Sequence, residues 1–277
     1  MARSFNGTTE GIGFPNNGID VQTQLAITAW VNPAAAPASG SQFTVVANGR
    51  SAGNRNFVLD YRNISGTLQL EVSNSVGASF GEMRAVTTLS TGVWHSIVFS
   101  VDWTLNPWTG TCFVDGSSVT VTNSGAVTTG TPSTADTIQQ IGEIASVAFW
   151  NGNLSEIAVR KGVLLTANEA KAHNAGERPS RIRPTSIVGW WPIDGLQSPE
   201  PEYSGNKMVG TLTGTAFATG PPLMPLTPRW PFVENFIPPS ILLAGGAGTT
   251  IFRPRMVDGW RWRKTTKRPK LLRAESG

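Results

Sequence analysis

Apolar and polar residues alternate along much of this chain with the period of two that extended strands require. The clearest stretch runs from Trp94 to Asp102. Trp94, Ser96, Val98 and Ser100 fall on one face, and His95, Ile97, Phe99 and Val101 on the other. Such alternation is a strand signal, and its largest apolar groups need a facing sheet to cover them. The same grammar returns at Gln42–Ala47, Asn56–Tyr61, Thr67–Val72 and Met83–Thr88. Between these lie Asn48-Gly49, Asn63–Gly66 and Asn74–Gly77, residues that tolerate positive φ or bond their own backbone in turns. The pattern predicts an all-β protein of two facing sheets. Ile27, Trp30, Trp94, Ile97, Phe99, Phe113, Ile141 and Ile157 are its core candidates, and strict alternation sends some of them to an outer face.

Only one segment reads as helix. Thr166 is an N-cap candidate with Glu169 three residues on, the spacing of a capping box, and Gly176 can end the helix after Ala175. Pro33–Gly40 is alanine-rich, but a proline opens it and another interrupts it, which makes it a loop. Thirty Gly, 19 Pro and 14% charged residues suit many strands and tight turns, and 39% hydrophobic residues suffice for a core. Cys112 is the only cysteine and sits in a strand pattern, so a buried free thiol is expected.

Charge divides the chain. Residues 1–220 carry 12 Lys+Arg against 15 Asp+Glu, a balance of −3, whereas residues 221–277 carry 10 against 3, a balance of +7. That second segment opens with seven prolines between positions 221 and 239, which interrupt any regular element and leave an extended, polyproline-like strap. Trp230, Phe232, Phe236 and Ile237 alternate with those prolines, and Arg253, Arg255, Trp260 and Trp262 belong to the basic run that follows. Aromatic groups on a strap without a core need a surface to dock on. The segment is therefore expected to anchor the chain to a partner, either a second copy or another protein. Cations beside tryptophan also suit single-stranded nucleic acid, but nothing in the chain resembles a nucleic-acid fold, and the anchor reading is preferred.

Five motifs in order resemble one family. "SFNGTTEGIGF" (Ser4–Phe14), "QLAITAWVNP" (Gln24–Pro33), "LSTGVWHSIVFSVD" (Leu89–Asp102), "GTCFVDGSSVTV" (Gly110–Val121) and the stretch from Thr137 to His173 are similar to the strands of the laminin-G-like, concanavalin A-like lectin jelly roll. The resemblance covers about Arg3 to Ala175 and implies a two-sheet antiparallel jelly-roll sandwich, with the Trp of the second motif entering the core. A further pair, "WWPID" (Trp190–Asp194) and "SGNKMVGTLTG" (Ser204–Gly214), resembles strands that commonly open such domains, yet here it follows them. Residues 186–219 are thus expected to complete the same sandwich in permuted order, giving a domain over 1–219 and an arm over 220–277. A separate domain of that size could not bury its own core.

The resemblance also brings candidate chemistry. Carbohydrate binding is frequent in the family and needs an exposed aromatic face with amides nearby. Trp103, Asn106 and Trp108 on one loop, and Trp150, Asn151 and Asn153 on another, are the candidates; the plainer reading is that these tryptophans cap the sandwich ends. Many members bind calcium near the opening turn, for which Asn6, Glu10 and Glu143 are the candidate ligands. Thr8 and Thr9 stand where an acidic pair is common, so an ordinary polar turn competes with the metal site. No cofactor beyond calcium is expected.

Catalysis finds little support. Glycosidases pair two carboxylates, in this fold usually at alternate positions of one strand, and no such run occurs. Glu200 and Glu202 have the spacing but sit between prolines. His95 is expected to be structural, and His173 to end an exposed helix. The chain starts directly in a strand pattern and carries no run long enough to span a membrane. Family members usually work outside cells. A bacteriophage virion protein reconciles the two: a non-enzymatic decoration, fibre or tail component displaying a lectin-like domain, with virion proteins, copies of itself and a surface glycan as partners. The alternative is an exported bacterial carbohydrate-binding module or glycosidase accessory domain.

Overall fold

The computed structural model describes residues 1–15, 19–49, 53–134 and 138–224. The anchor candidates Trp230, Phe232, Phe236, Arg253, Arg255, Trp260 and Trp262 lie outside the described residues. Residues 1–225 form one compact unit.

Sixteen strands build two antiparallel sheets. The first sheet runs, from edge to edge, through β10 (Ser117–Val119), β9 (Thr109–Val114), β8 (His95–Asp102), β3 (Gln24–Pro33), β13 (Asn151–Lys161), β1 (Ala2–Asn6) and β16 (Ala216–Ala218). β14 (Ile187–Trp191) pairs with the second half of β13. The second sheet runs through β11 (Val121–Gly125), β7 (Ser79–Val86), β6 (Thr67–Val76), β5 (Phe57–Ile64), β4 (Gln42–Asn48), β12 (Ile138–Ile141), β2 (Gly11–Pro15) and β15 (Thr211–Thr213). Of the last three strands, β15 and β16 join strands near the N-terminus, β2 and β1, and β14 joins β13.

Between the sheets lies one apolar core. Leu25, Ile27, Ala29 and Val31 of β3, Ile97, Phe99 and Val101 of β8, and Leu59, Tyr61, Leu70, Val72, Met83 and Ala85 of β5–β7 all enter it. Cys112 is buried there with a free thiol that burial pushes well up in pKa. The other face of the first sheet is covered as well. The helix α1 (Ala167–Asn174) lies over β8, and Ala26, Val98, Phe113, Leu165, Ala170 and Ile182 form a second apolar cluster beneath it. Thr166 caps α1 with a complete capping box to Glu169, and Gly176 leaves it at φ +93, a left-handed value that glycine adopts without strain.

Several expectations change. Trp30 is buried, but on the outer face of β3 under α1, where its ring lies 5.6 Å from that of His173. Trp94 is only half-buried, because β8 begins one residue later. His173 is fully buried rather than exposed, and burial lowers its pKa to about 4. The β6–β7 hairpin is longer than its pattern suggests: Asn74–Val76 belong to β6, and β7 starts at Ser79. Among the described residues no helix is long and apolar enough to cross a membrane.

Candidate functional site

The tryptophans proposed as sugar platforms face inward. Trp103, Trp108 and Trp150 are 4, 2 and 0% exposed, so none offers a ring face to a ligand. Trp108 plugs one end of the core and donates from Nε1 to the Gly130 carbonyl at 3.0 Å; a Cβ at Gly81 would overlap its ring. Trp150 packs edge-on against Phe43, with centroids 6.2 Å apart. Asn106 is exposed, and Asn151 and Asn153 are half-buried on the face of β13 opposite Trp150. Alternation separates Trp150 from the Asn151 and Asn153 amides that were to work with it.

Of the calcium candidates, Glu143 lays its carboxyl against Gly11, Glu10 packs against Gly214, and Asn6 serves its own turn. Asn6 Oδ1 already accepts from the Thr8 amide, the Thr8 hydroxyl and the Thr9 amide, at 2.9, 3.1 and 3.0 Å. Among the described residues no group of three or more His, Cys, Asp or Glu side chains is placed to hold a metal ion. Glu200 and Glu202 are both bonded within the protein. Glu200 is buried in an ion pair with Arg3 at 2.6 Å, and Glu202 Oε1 accepts from the Trp190 amide at 3.0 Å. His95 bonds Asp115 at 2.7 Å across a hairpin, and this contact raises its pKa.

What the structure gathers instead is a charged band on the outer face of the second sheet. β5, β6 and β7 each send alternate residues to the core and the others outward: Asp60 and Arg62; Gln69, Glu71 and Ser73; Glu82 and Arg84. Register then aligns them across strands. Thr44 faces Asp60, Asp60 faces Glu71, and Glu71 faces Arg84. Arg62 Nη1 bonds Glu71 Oε1 at 2.6 Å, Arg84 Nε bonds Glu71 Oε2 at 3.1 Å, and Arg84 also pairs with Glu82. Gln69 Nε2 adds a bond to Glu71 at 3.4 Å.

Burial grades this band. The Glu71 side chain is 0% exposed, Glu82 16%, and Arg62 and Arg84 25% each. Asp60 lies in the floor, bonded at Oδ1 by the Thr44 hydroxyl at 2.7 Å, and Oδ2 has no partner. Burial, with Glu71 adding repulsion, pushes its pKa up to about 7. Beside the floor the loop 142–149 packs Ile144 and Ala148 on Ala47 and Val58 and presents Val147, 78% exposed, past Ala145 and Ser146 at left-handed φ of 53° and 58°. At the other end the Arg55 guanidinium sits 4.8 Å over the ring of Phe80. Arg62 and Arg84 thus hold forked donors in fixed orientation at a half-open surface, with the Glu82 carboxylate as acceptor.

The comparisons fit this architecture. A sequence profile of the concanavalin A-like lectin/glucanases superfamily matches residues 6–170. The chain belongs to that superfamily. No curated protein matches the sequence. Among solved structures, one from Bacteroides ovatus, provisionally named as a carbohydrate-binding protein, is similar at 18% identity and a TM-score of 0.55. The match covers 80% of this chain and 61% of that one, so the chain spans about three fifths of that protein's length. Tailspike protein 2 of an Escherichia coli O157:H7 bacteriophage matches at 11% identity over 70% of this chain and 30% of its own, with a TM-score of 0.48. A pentraxin from Limulus polyphemus matches at 17% over 62% and 81%, with a TM-score of 0.46. At 18% identity the property shared with the Bacteroides ovatus protein is the fold.

Proposed function

We propose that this superfamily member is a non-catalytic glycan-binding module that takes its ligand on the charged band of the second sheet. One observation carries the reading: the band's carboxylates are tied to guanidiniums or sunk in the floor. Hydrolysis of a glycosidic bond needs an acid and a second carboxylate that both reach the sugar. Here only Glu82 meets solvent, and it is paired with Arg84 and Arg62. Such a network holds donors and acceptors in place for sugar hydroxyls without a free proton carrier.

Display on a bacteriophage particle is the setting we propose, with residues 220–277 as the attachment device to virion proteins or further copies of the chain. The +7 balance of residues 221–277 and the prolines between positions 221 and 239 support it. The test of the module is the double substitution R62K/R84K, which keeps the charges around Glu71 and removes the forked donors. Full-length protein on a glycan array should bind without releasing reducing ends, and the double variant should lose about tenfold or more in affinity. Unchanged binding by the folded variant, or release of reducing ends by the wild type, would refute the reading.

A further inference from the structure

Trp190 and Trp191 are neighbours on β14 and therefore point to opposite faces. Trp191 enters the core and stacks on Phe14, with centroids 4.5 Å apart. Trp190 stays on the outer face of the first sheet, half-buried, with the ring of Tyr203 5.5 Å away at an angle of 49°. Tyr203 is 52% exposed. Here two aromatic rings meet at the surface, outside the residues matched by the superfamily profile.

The surroundings are polar and built. β13 shifts register against β3 between Ser155 and Ala158, and within that bulge Glu156 takes a left-handed φ of 50°. The bulge aims Glu156 at the pair: its Oε2 accepts from Trp190 Nε1 at 3.1 Å, and its Oε1 bonds Arg178 at 3.1 Å. A strained non-glycine residue in a bulge is a common feature of ligand sites. Glu202 holds the Trp190 amide, and the Tyr203 amide donates to the Trp190 carbonyl at 2.9 Å, so both rings are fixed by their own backbone. Two polar atoms beside them, Arg178 Nε and Glu202 Oε2, are closed to solvent and have no partner in the protein.

We propose that Trp190 and Tyr203 form a second sugar-binding platform, separate from the charged band, that takes the apolar face of a neutral pyranose ring. Aromatic rings offer area at low ordering cost, and the negative ring face attracts the polarised C–H bonds of a sugar. Glu156 and Glu202 outnumber Arg178, and this residual negative charge disfavours uronic and sialic acids.

The test uses the full chain on an array of neutral and acidic oligosaccharides, followed by calorimetry with the best neutral ligand. The wild type should retain neutral oligosaccharides, and Tyr203→Ala should weaken one class of site about tenfold or more. Trp190→Phe, which keeps a ring but loses the bond to Glu156, should do so to a smaller extent. R62K/R84K should leave this class of site intact, which separates the platform from the band. Binding of only acidic glycans, no neutral glycan bound, or wild-type affinity and stoichiometry in Tyr203→Ala would each overturn the proposal. Because Tyr203 is half exposed, its loss leaves the core filled, and a thermal melt checks that Tyr203→Ala is folded.

Discussion

Two buried charges, Arg160 and Glu71, one on each outer face of this sandwich, are held in opposite ways. On the first sheet Arg160 is 0% exposed and its hydrogen bonds go to neutral oxygens: the Ile182 and Pro179 carbonyls at 3.2 Å and the Thr28 hydroxyl at 3.0 Å. Burial lowers its pKa to about 10. On the second sheet Glu71 is equally buried but meets two guanidiniums. The first arrangement is a pin: it holds the turns around Pro179–Arg181 against the sheet, where the α1 cover closes. The second is a presented network, because its arginines remain a quarter exposed. A covered face uses its charge to fix turns against the sheet, and an open face gains oriented donors. The glycan reading rests on the second sheet being open in this sense.

The largest effect should come from breaking the pin. Arg160→Met keeps most of the volume but leaves two carbonyls and the Thr28 hydroxyl without donors under the cover. We expect a loss of about 3 kcal/mol in urea unfolding, at the upper end for neutral substitutions of shape-matched residues. A loss below about 1 kcal/mol would mean that water replaces the guanidinium, and the two faces would then differ less than argued. Glu71→Gln should cost less, about 1–2 kcal/mol, since Arg62 and Arg84 can turn to solvent once released. If Glu71→Gln proves the more damaging of the two, the band is structural first and its arginines are not free to serve a ligand.

The contrast also shows what the chain reveals before it folds. The strands of β3, β4 and β8 and the cap of α1 follow from alternation and from Thr166 with Glu169, because those signals are local. Which face is which does not follow as well. Trp30 has the size of a core residue and is buried, yet it lies under α1, since the helix gives the outer face of β3 a second apolar cover. Trp103, Trp108 and Trp150 sit beside loop-forming and amide residues, as sugar platforms do, but their rings fill the ends of the core. His173 follows Ala170 by three residues, and both turn inward where the pattern suggested a solvent-facing helix. The charged band was written in the sequence as Asp60/Arg62, Glu71 and Glu82/Arg84, each at the non-core positions of its strand. No single strand shows it as a pair of acids, because register across three strands brings it together. Alternate charged residues in three successive strands, all out of phase with the core, were the signal to follow.

The smallest effect is also the most direct comparison of the two faces, because it reads one buried titrating group on each. Asp60 ionises at about 7 in the folded protein against an ordinary 3.8. Its contribution to stability is therefore whole below about pH 4 and is lost as pH rises to 7, where the folded state at last gives up the proton. His173 ionises at about 4 against an ordinary 6.5. Its contribution is whole above about pH 6.5 and is lost as pH falls toward 4. Over the single unit between about pH 5 and pH 6 both groups are inside their windows, with opposite signs. Relative to the wild type, Asp60→Asn should gain about 1 kcal/mol as pH goes from 5 to 6, and His173→Gln should lose about as much. Asparagine can still accept from the Thr44 hydroxyl, so the change isolates the charge. Urea unfolding of the three proteins at the two pH values measures both slopes. If the two variants drift in the same direction, one of the groups is reached by water in the folded state. A flat Asp60→Asn difference would place the floor of the band in solvent, and the band would then be a deeper cleft than its packing indicates.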